Sequence, residues 1–258
     1  MSSNCGLLYV ATGDQHSSEA IKNIILSRPY LQNLKTCLVT DKVRGSEYLY
    51  FDFVRIHDSP IFGYRDKISS LLNLPFDITL FIDSDAFISS SLDPIFQLAS
   101  VVDFAAAHAP VRHPPGWSDN SPPLSFPEFN SGVMLFRRSQ SIAELIRHWL
   151  KIYDDLFVSF NQHWDQASLR SSLWRHLLIN KNFRLGVLPP EANLRTTKPW
   201  IAGRGMPVSV VHGRFDSLEV DNFLSFLNTD IDRFRTWAEW LTLYPCSSIK
   251  PRFDRTYS

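Results

Sequence analysis

Over its first hundred residues the chain repeats one unit: a short, almost wholly apolar run, then a segment whose apolar residues recur at helical spacing. Leu7 to Ala11 is such a run, closed by Thr12-Gly13-Asp14, and reads as a buried strand ending in a turn. Residues 15–28 then place Ala20, Ile21, Ile24 and Ile25 on one helical face. Thr36–Thr40 and Phe51–Ile56 are the next strands, and Tyr64–Leu74 is a helix stopped by Pro75. Ile78–Ile82 carries the strongest strand signal, and Val101–Ala107 is another strand. Strands that alternate with helices run parallel and are joined by crossovers. The expected fold class is therefore α/β, a three-layer α/β/α sandwich on a mostly parallel central sheet. Ligands of such sheets sit at the carboxyl ends of the strands. Asp14, Asp41 and Asp83 each follow a strand by one to three residues, so they should converge on one rim.

The second half is less regular. Residues 108–127 hold six prolines, two histidines and a tryptophan with no period, as expected of a lid or binding loop. Gly132–Phe136 resumes as a strand. Ser141 and Glu144 have capping-box spacing ahead of Ile142, Leu145, Ile146, Trp149 and Tyr153. A helix follows over 165–178, then strands over Phe183–Leu188 and Val208–Val211. Ser217–Tyr244 reads as two helices, the second carrying Ile231, Phe234, Trp237 and Leu241. At 258 residues the chain suits one large domain. We divide it into a nucleotide-binding half, about 1–107, and an acceptor-binding and closing half, about 108–258.

Lysine plus arginine equals aspartate plus glutamate at 26 each. A neutral chain argues against nucleic-acid binding, which needs a basic face, and against an electrostatic membrane anchor. No window reaches the roughly 18 apolar residues of a membrane span. Cys5, Cys37 and Cys246 are few and far apart, with no paired spacing. That excludes a disulfide scaffold and suits a reducing, cytoplasmic setting.

The chemistry concentrates at Asp83-Ser84-Asp85. Among 19 aspartates, chance alone gives about 1.4 pairs at this spacing, so context decides. The other such pair, Asp230 and Asp232, opens an amphipathic helix, where acids favour the positive dipole end. Asp83 and Asp85 instead end a buried strand. Carboxylates at i and i+2 there face the same way and need a cation. Oxygen ligands suit Mg²⁺ or Mn²⁺ held with water and phosphate. An ordinary turn after a strand is the competing reading.

With Phe81-Ile-Asp-Ser-Asp-Ala86 as its centre, the sequence resembles GT-A (Rossmann-like) glycosyltransferases of the glycogenin, galactinol synthase and lipopolysaccharide galactosyltransferase group. Five further segments match in the family's order: Leu7 through Gly13, Tyr64-Arg-Asp-Lys67, Phe129-Asn-Ser-Gly-Val133, Asp165-Gln166 and Val211-His212-Gly213. The resemblance implies a metal-dependent transfer of sugar, with retention, from a nucleotide-diphosphate sugar, by that same resemblance a UDP-sugar, to an acceptor left open. That acceptor could be a saccharide, lipid, small molecule or protein. It implies Asp83, Asp85 and His212 as metal ligands, and the imidazole tilts the ion towards Mn²⁺ over Mg²⁺. Ala11, Thr12, Gly13 and Asp14 would meet the nucleotide. Arg65 and Lys67 would face its phosphates or the donor hydroxyls, and Ser84 would lie beside the metal. Asn130 and Ser131 would hold the donor sugar or acceptor. Asp165 and Gln166 would lie by the anomeric carbon, although a helix N-cap competes for Asp165. An inverting reaction would instead need a base, with Asp165, Glu128 and Asp119 as candidates.

The chain departs from the family in placing Lys198-Pro199-Trp200 before His212 rather than after it. Arg204 and Arg214, near Gly203, Gly205 and Gly213, are the substitute phosphate contacts. His108, His113 and Trp117 either shape an acceptor pocket or pack. A phosphatase of the haloacid-dehalogenase type, with Asp83 as nucleophile and Asp85 as acid/base, is the rival enzyme. A non-catalytic sugar-nucleotide-binding protein, with Trp237 and Trp240 as a partner surface, is the rival binding module.

Overall fold

A computed structural model describes residues 4–109, 121–196, 205–214, 220 and 227–231. Strand β1 (Cys5–Ala11) leads into helix α1 (Asp14–Leu31) and β2 (Lys35–Thr40). A one-turn helix α2 (Glu47–Tyr50), β3 (Phe53–Ile56), α3 (Tyr64–Leu71) and β4 (Ile78–Ile82) follow. Then come β5 (Ala86–Ile88), α4 (Asp93–Leu98), β6 (Phe104–His108) and β7 (Phe129–Arg137). The long helix α5 (Gln140–Phe160) precedes α6 (Asp165–Ile179), β8 (Leu185–Leu188), β9 (Leu194–Arg195) and β10 (Val210–His212).

Seven strands form one sheet in the order β3-β2-β1-β4-β7-β6-β8, and β7 alone runs against its neighbours. The apolar strands are buried on both faces, as a sheet covered by helices requires. Leu7, Tyr9, Leu80 and Ile82 pack with Ala20, Ile24 and Ile95 of α1 and α4 on one face. Leu8, Phe81, Met134 and Phe136 pack with Ile68, Leu145, Trp149 and Leu169 of α3, α5 and α6 on the other. Each such fully buried side chain contributes roughly 1.5–3 kcal/mol. The three-layer α/β/α sandwich is thus as the alternation of strands and helices requires.

Three features differ from expectation. The reversed β7 brings its N-terminal end, Asn130-Ser131-Gly132, to the carboxyl end of β4. A second, three-stranded sheet, β5-β10-β9, stands at that same end, and β5 was not anticipated. Ser139, not Ser141, is the N-cap of α5, its hydroxyl accepting from the Ile142 amide at 3.2 Å. Within 121–128 the chain is tied to α6, because Arg170 donates to the carbonyls of Pro123 and Phe126 and pairs with Glu128 at 3.1 Å. The central part of the proline-rich segment, with His113, Trp117 and Asp119, lies outside the described residues. So do Lys198, Pro199, Trp200, Gly203, Arg204, Asp232, Trp237, Trp240, Cys246 and most of the expected tail helices.

Candidate metal and donor site

β4 stops at Ile82, and the next three residues form a tight turn. The Asp83 amide donates to the Gly132 carbonyl at 2.8 Å, and the Ala86 amide donates back to the Asp83 carbonyl at 3.0 Å. Asp83 is thereby fixed on both sides. β5 then pairs antiparallel with β10, matching Ala86 to His212. The Gly213 amide closes the arrangement on the Asp85 carbonyl at 2.9 Å. The two carboxylates therefore converge through a turn and a cross-sheet ladder, not as i and i+2 neighbours on a strand. His212 Nε2 lies 3.3 Å from Asp85 Oδ1 and 3.7 Å from Asp83 Oδ2. One ligand atom from each of the three residues falls within 4.8 Å of the others, a spacing that could hold a metal ion.

The imidazole is aimed by a relay that starts at the backbone. The Gly132 amide donates to Asn130 Oδ1 at 3.1 Å, which fixes that oxygen as an acceptor. Asn193 Nδ2 donates to the same oxygen at 2.7 Å, so Asn193 presents its own oxygen to His212 Nδ1 at 2.9 Å. His212 therefore donates from Nδ1, and Nε2 is the nitrogen turned to the carboxylates. A metal-binding histidine is commonly oriented by such a hydrogen bond from its other nitrogen. A Cβ on Gly132 would stand 2.1 Å from His212 Cε1, so only glycine leaves room for the ring. Two carboxylate oxygens, one imidazole nitrogen and a seat cut for that ring fit a divalent cation. Burial raises the pKa of Asp83 despite Lys67 and His212. Burial also opposes ionisation of Asp85, but His212 and Arg214 outweigh it and lower its pKa.

Lys67 enters from α3. Its ammonium lies 2.5 Å from Asp165 Oδ2, 3.4 Å from Asp83 Oδ1 and 3.1 Å from Ser131 Oγ. Burial works against the charge on Lys67, yet Asp165 and Asp83 outweigh it and raise the pKa, so this is a standing cation. Asp165 opens α6 as its first helical residue and does not cap it; Trp164 holds the cap position. Trp149 Nε1 of α5 donates to the Asp165 carbonyl at 3.1 Å and to Ser168 Oγ at 3.0 Å, which sets that helix end against the sheet. Gln166 follows, half-buried.

Around the first strand, Ala11 is buried and the Thr12 hydroxyl donates to Asp66 at 2.7 Å. The Gly13 amide donates to Asp41 at 2.8 Å, while Asp14 is exposed and pairs with Arg44. Asp14 and Asp41 do meet on one rim, bridged by Arg44. Arg65 turns to α5 instead, in a two-point pair with Asp154 at 2.8 and 3.0 Å. Arg214 is exposed, pairs with Glu19, and comes within 3.7 Å of Asp85. Sequence reasoning overlooked Asn193, Asp66, Tyr64 and Asn23. Asn23 holds the Ser84 carbonyl at 2.6 Å, and the Tyr64 ring centroid lies 5.3 Å from the Lys67 ammonium. Tyr64 and Asp66 lie inside the Tyr64-Arg-Asp-Lys67 motif and could have been found there, whereas Asn193 and Asn23 lie in no motif.

Neither a family model nor a curated protein matches the sequence. Solved structures do. The galactosyltransferase LgtC, in complex with donor and acceptor sugar analogues, is 14% identical over 92% of this chain and 99% of its own, with a TM-score of 0.60. The glycosyltransferase GlyE of Streptococcus pneumoniae TIGR4 is 15% identical over 95% of this chain and 65% of its own, at 0.57. Mouse xyloside xylosyltransferase 1 is 15% identical over 81% of this chain and 97% of its own, at 0.51. At such identities the likeness is one of fold, and the fold is GT-A.

Proposed function

We propose that this chain is a glycosyltransferase that uses a divalent cation, with Mn²⁺ preferred to Mg²⁺, to move a sugar from a UDP-sugar to an acceptor hydroxyl with retention. The observation that carries this reading is the convergence of Asp83, Asp85 and His212 beside the buried Lys67–Asp165 pair on the sheet's carboxyl rim. The likeness to LgtC, whose complex holds donor and acceptor sugar analogues, supports it through the fold.

The cation, once bound, supplies positive charge to the diphosphate and so eases its departure. The protein's own groups do the rest. Lys67 presents a fixed charge to the phosphates or to the donor hydroxyls, and Arg214 reaches in from the other side of Asp85. Ala11, Thr12, Gly13 and Asp14 line the rim where the nucleotide lies. Asn130 and Ser131 bind the sugar side, and Asp165 with Gln166 orients hydroxyls near the anomeric carbon. Retention is favoured by how the candidate bases are engaged: Asp165 is paired with Lys67, and buried Glu128 with Arg170. In the reaction the bond from the anomeric carbon to the phosphate oxygen breaks and the acceptor oxygen bonds that carbon. The acceptor proton passes to the departing phosphate, so no free carboxylate is needed.

We take residues 1–258 as one working unit, because His212 completes from the second half a site begun by Asp83 and Asp85 in the first. No helix among the described residues is long and apolar enough to cross a membrane. We place the reaction in the cytoplasm on the ground that the three cysteines are few and far apart, with no paired spacing, which suits a reducing compartment.

The test is donor hydrolysis without acceptor. UDP-glucose and UDP-galactose with Mn²⁺ should release UDP slowly, and both EDTA and Asp85→Ala should stop it. Metal-dependent UDP binding with no release would mean a binding module. Hydrolysis of p-nitrophenyl phosphate without UDP release would mean a phosphatase.

A further inference from the structure

Phe62 is the outlier of the rim. Its side chain is large and apolar, yet it is 62% exposed, and its backbone sits at φ 58. Bulky residues rarely adopt that left-handed conformation, and strained positions of this kind cluster at ligand sites. Asp66, itself 2% exposed, enforces it. Its two oxygens accept from the Ile61 and Phe62 amides, each at 2.8 Å, and from the Thr12 hydroxyl at 2.7 Å. One buried carboxylate thus ties the loop before α3 to the loop after β1. A Cβ built on Gly13 would stand 3.7 Å from Phe62 Cδ1, so the ring lies beside the turn that closes β1. One turn into α3, Lys67 reaches Asp83.

Packing does not require Phe62 to be there, since most of the ring faces water. We infer that Phe62 is a stacking platform for the base of the nucleoside diphosphate, set beside Gly13 and locked by Asp66. This rests on the donor reading above and names the group that grips the nucleoside. Every base has a π-face, so stacking on an aromatic ring supplies affinity without choosing the base. Phe62 therefore sets how tightly the nucleotide binds, while polar contacts elsewhere select it.

The test compares Mn²⁺-dependent binding of UDP, GDP and ADP with that of inorganic pyrophosphate, by titration calorimetry. Wild type, Phe62→Ala and Phe62→Tyr are the proteins. Phe62→Ala should weaken whichever nucleoside diphosphate binds by about tenfold or more. Pyrophosphate binding should not change, and Phe62→Tyr should bind like wild type. Equal loss of nucleotide and pyrophosphate overturns the inference, because the ring would then only shape the loop. So does nucleotide binding that Phe62→Ala leaves intact, and that result spares the donor reading. Wild type that takes pyrophosphate but none of the three nucleotides overturns both.

Discussion

His212 shows how little of a metal ligand's identity lies in the ligand itself. Its ring is placed by a glycine that makes room and aimed by an asparagine that fixes the tautomer. Gly132→Ala should therefore abolish Mn²⁺-dependent nucleotide binding as fully as His212→Ala, with the far-UV circular dichroism of both unchanged. Combining the two should add nothing, since both remove one ligand. Asn193→Ala should leave the ligands in place but loosen the ring, weakening Mn²⁺ affinity by about 10- to 100-fold. Titration of Mn²⁺ into the UDP-bound protein reads all of these. At this scale the sequence was legible where motif context singles a residue out, the apolar strand before Asp83 and Asp85 and the family resemblance around Lys67 and His212. It assigned no role to Asn193 or Asp66, because asparagines and aspartates serve every kind of turn and cap. Only their hydrogen bonds, made across 19 and 54 positions of chain, give them roles.

Besides the contact of Trp149 with Ser168, helices α5 and α6 share a second polar contact. Asn180 Nδ2 donates to Ser141 Oγ at 2.8 Å, and the same oxygen lies 2.9 Å from His176 Nε2. The other ring nitrogen of His176, Nδ1, is buried without a partner among the described residues. Burial, aided by His148, lowers the pKa of His176. Below about 6.5, the ordinary value, the unfolded chain binds a proton that the folded one refuses. Stability should therefore decline as pH falls from about 7 towards the lower folded-state pKa. His176→Gln, which does not titrate, should flatten that part of a plot of Tm against pH. Ser139→Ala should cost about 1 kcal/mol by removing the cap of α5, lowering Tm by roughly 2–4 °C. The helices α1 and α5 were readable because their period persists over many residues, and β4 because its five residues are of strand type throughout. β5 and β9 span three and two residues, too few for any pattern, and they exist because each pairs with β10, itself visible only as the apolar run Val208–Val211. The capping-box spacing at Ser141 misled for a related reason. Ser139 and Ser141 are equally good caps by composition, and only the entry of the chain from β7 decides between them.

Across the whole molecule, the alternation of strands and helices settled the layers, and the reversal at β7 then decided where the site stands. By turning against the other strands, β7 delivers Ser131 and Gly132 to the rim where β4 ends and α3 and α6 arrive. Lys67 is the tie between these elements. Lys67→Ala would strand Asp165 as a buried, uncompensated charge, at a cost of about 3–5 kcal/mol. A double replacement, Lys67→Met with Asp165→Leu, should recover much of that loss in urea denaturation, while donor hydrolysis stays absent. The central claim is that the rim binds a nucleoside diphosphate through a cation held by Asp83, Asp85 and His212. The direct measurement is the thermal midpoint with UDP, GDP and ADP, with and without Mn²⁺, for wild type and Asp85→Ala. A nucleotide at a hundred times its Kd adds about 2.7 kcal/mol, several degrees for a chain of this size. The account predicts a rise with UDP that requires Mn²⁺ and is missing in Asp85→Ala. No rise with any nucleotide, or an equal rise in the variant, would contradict it.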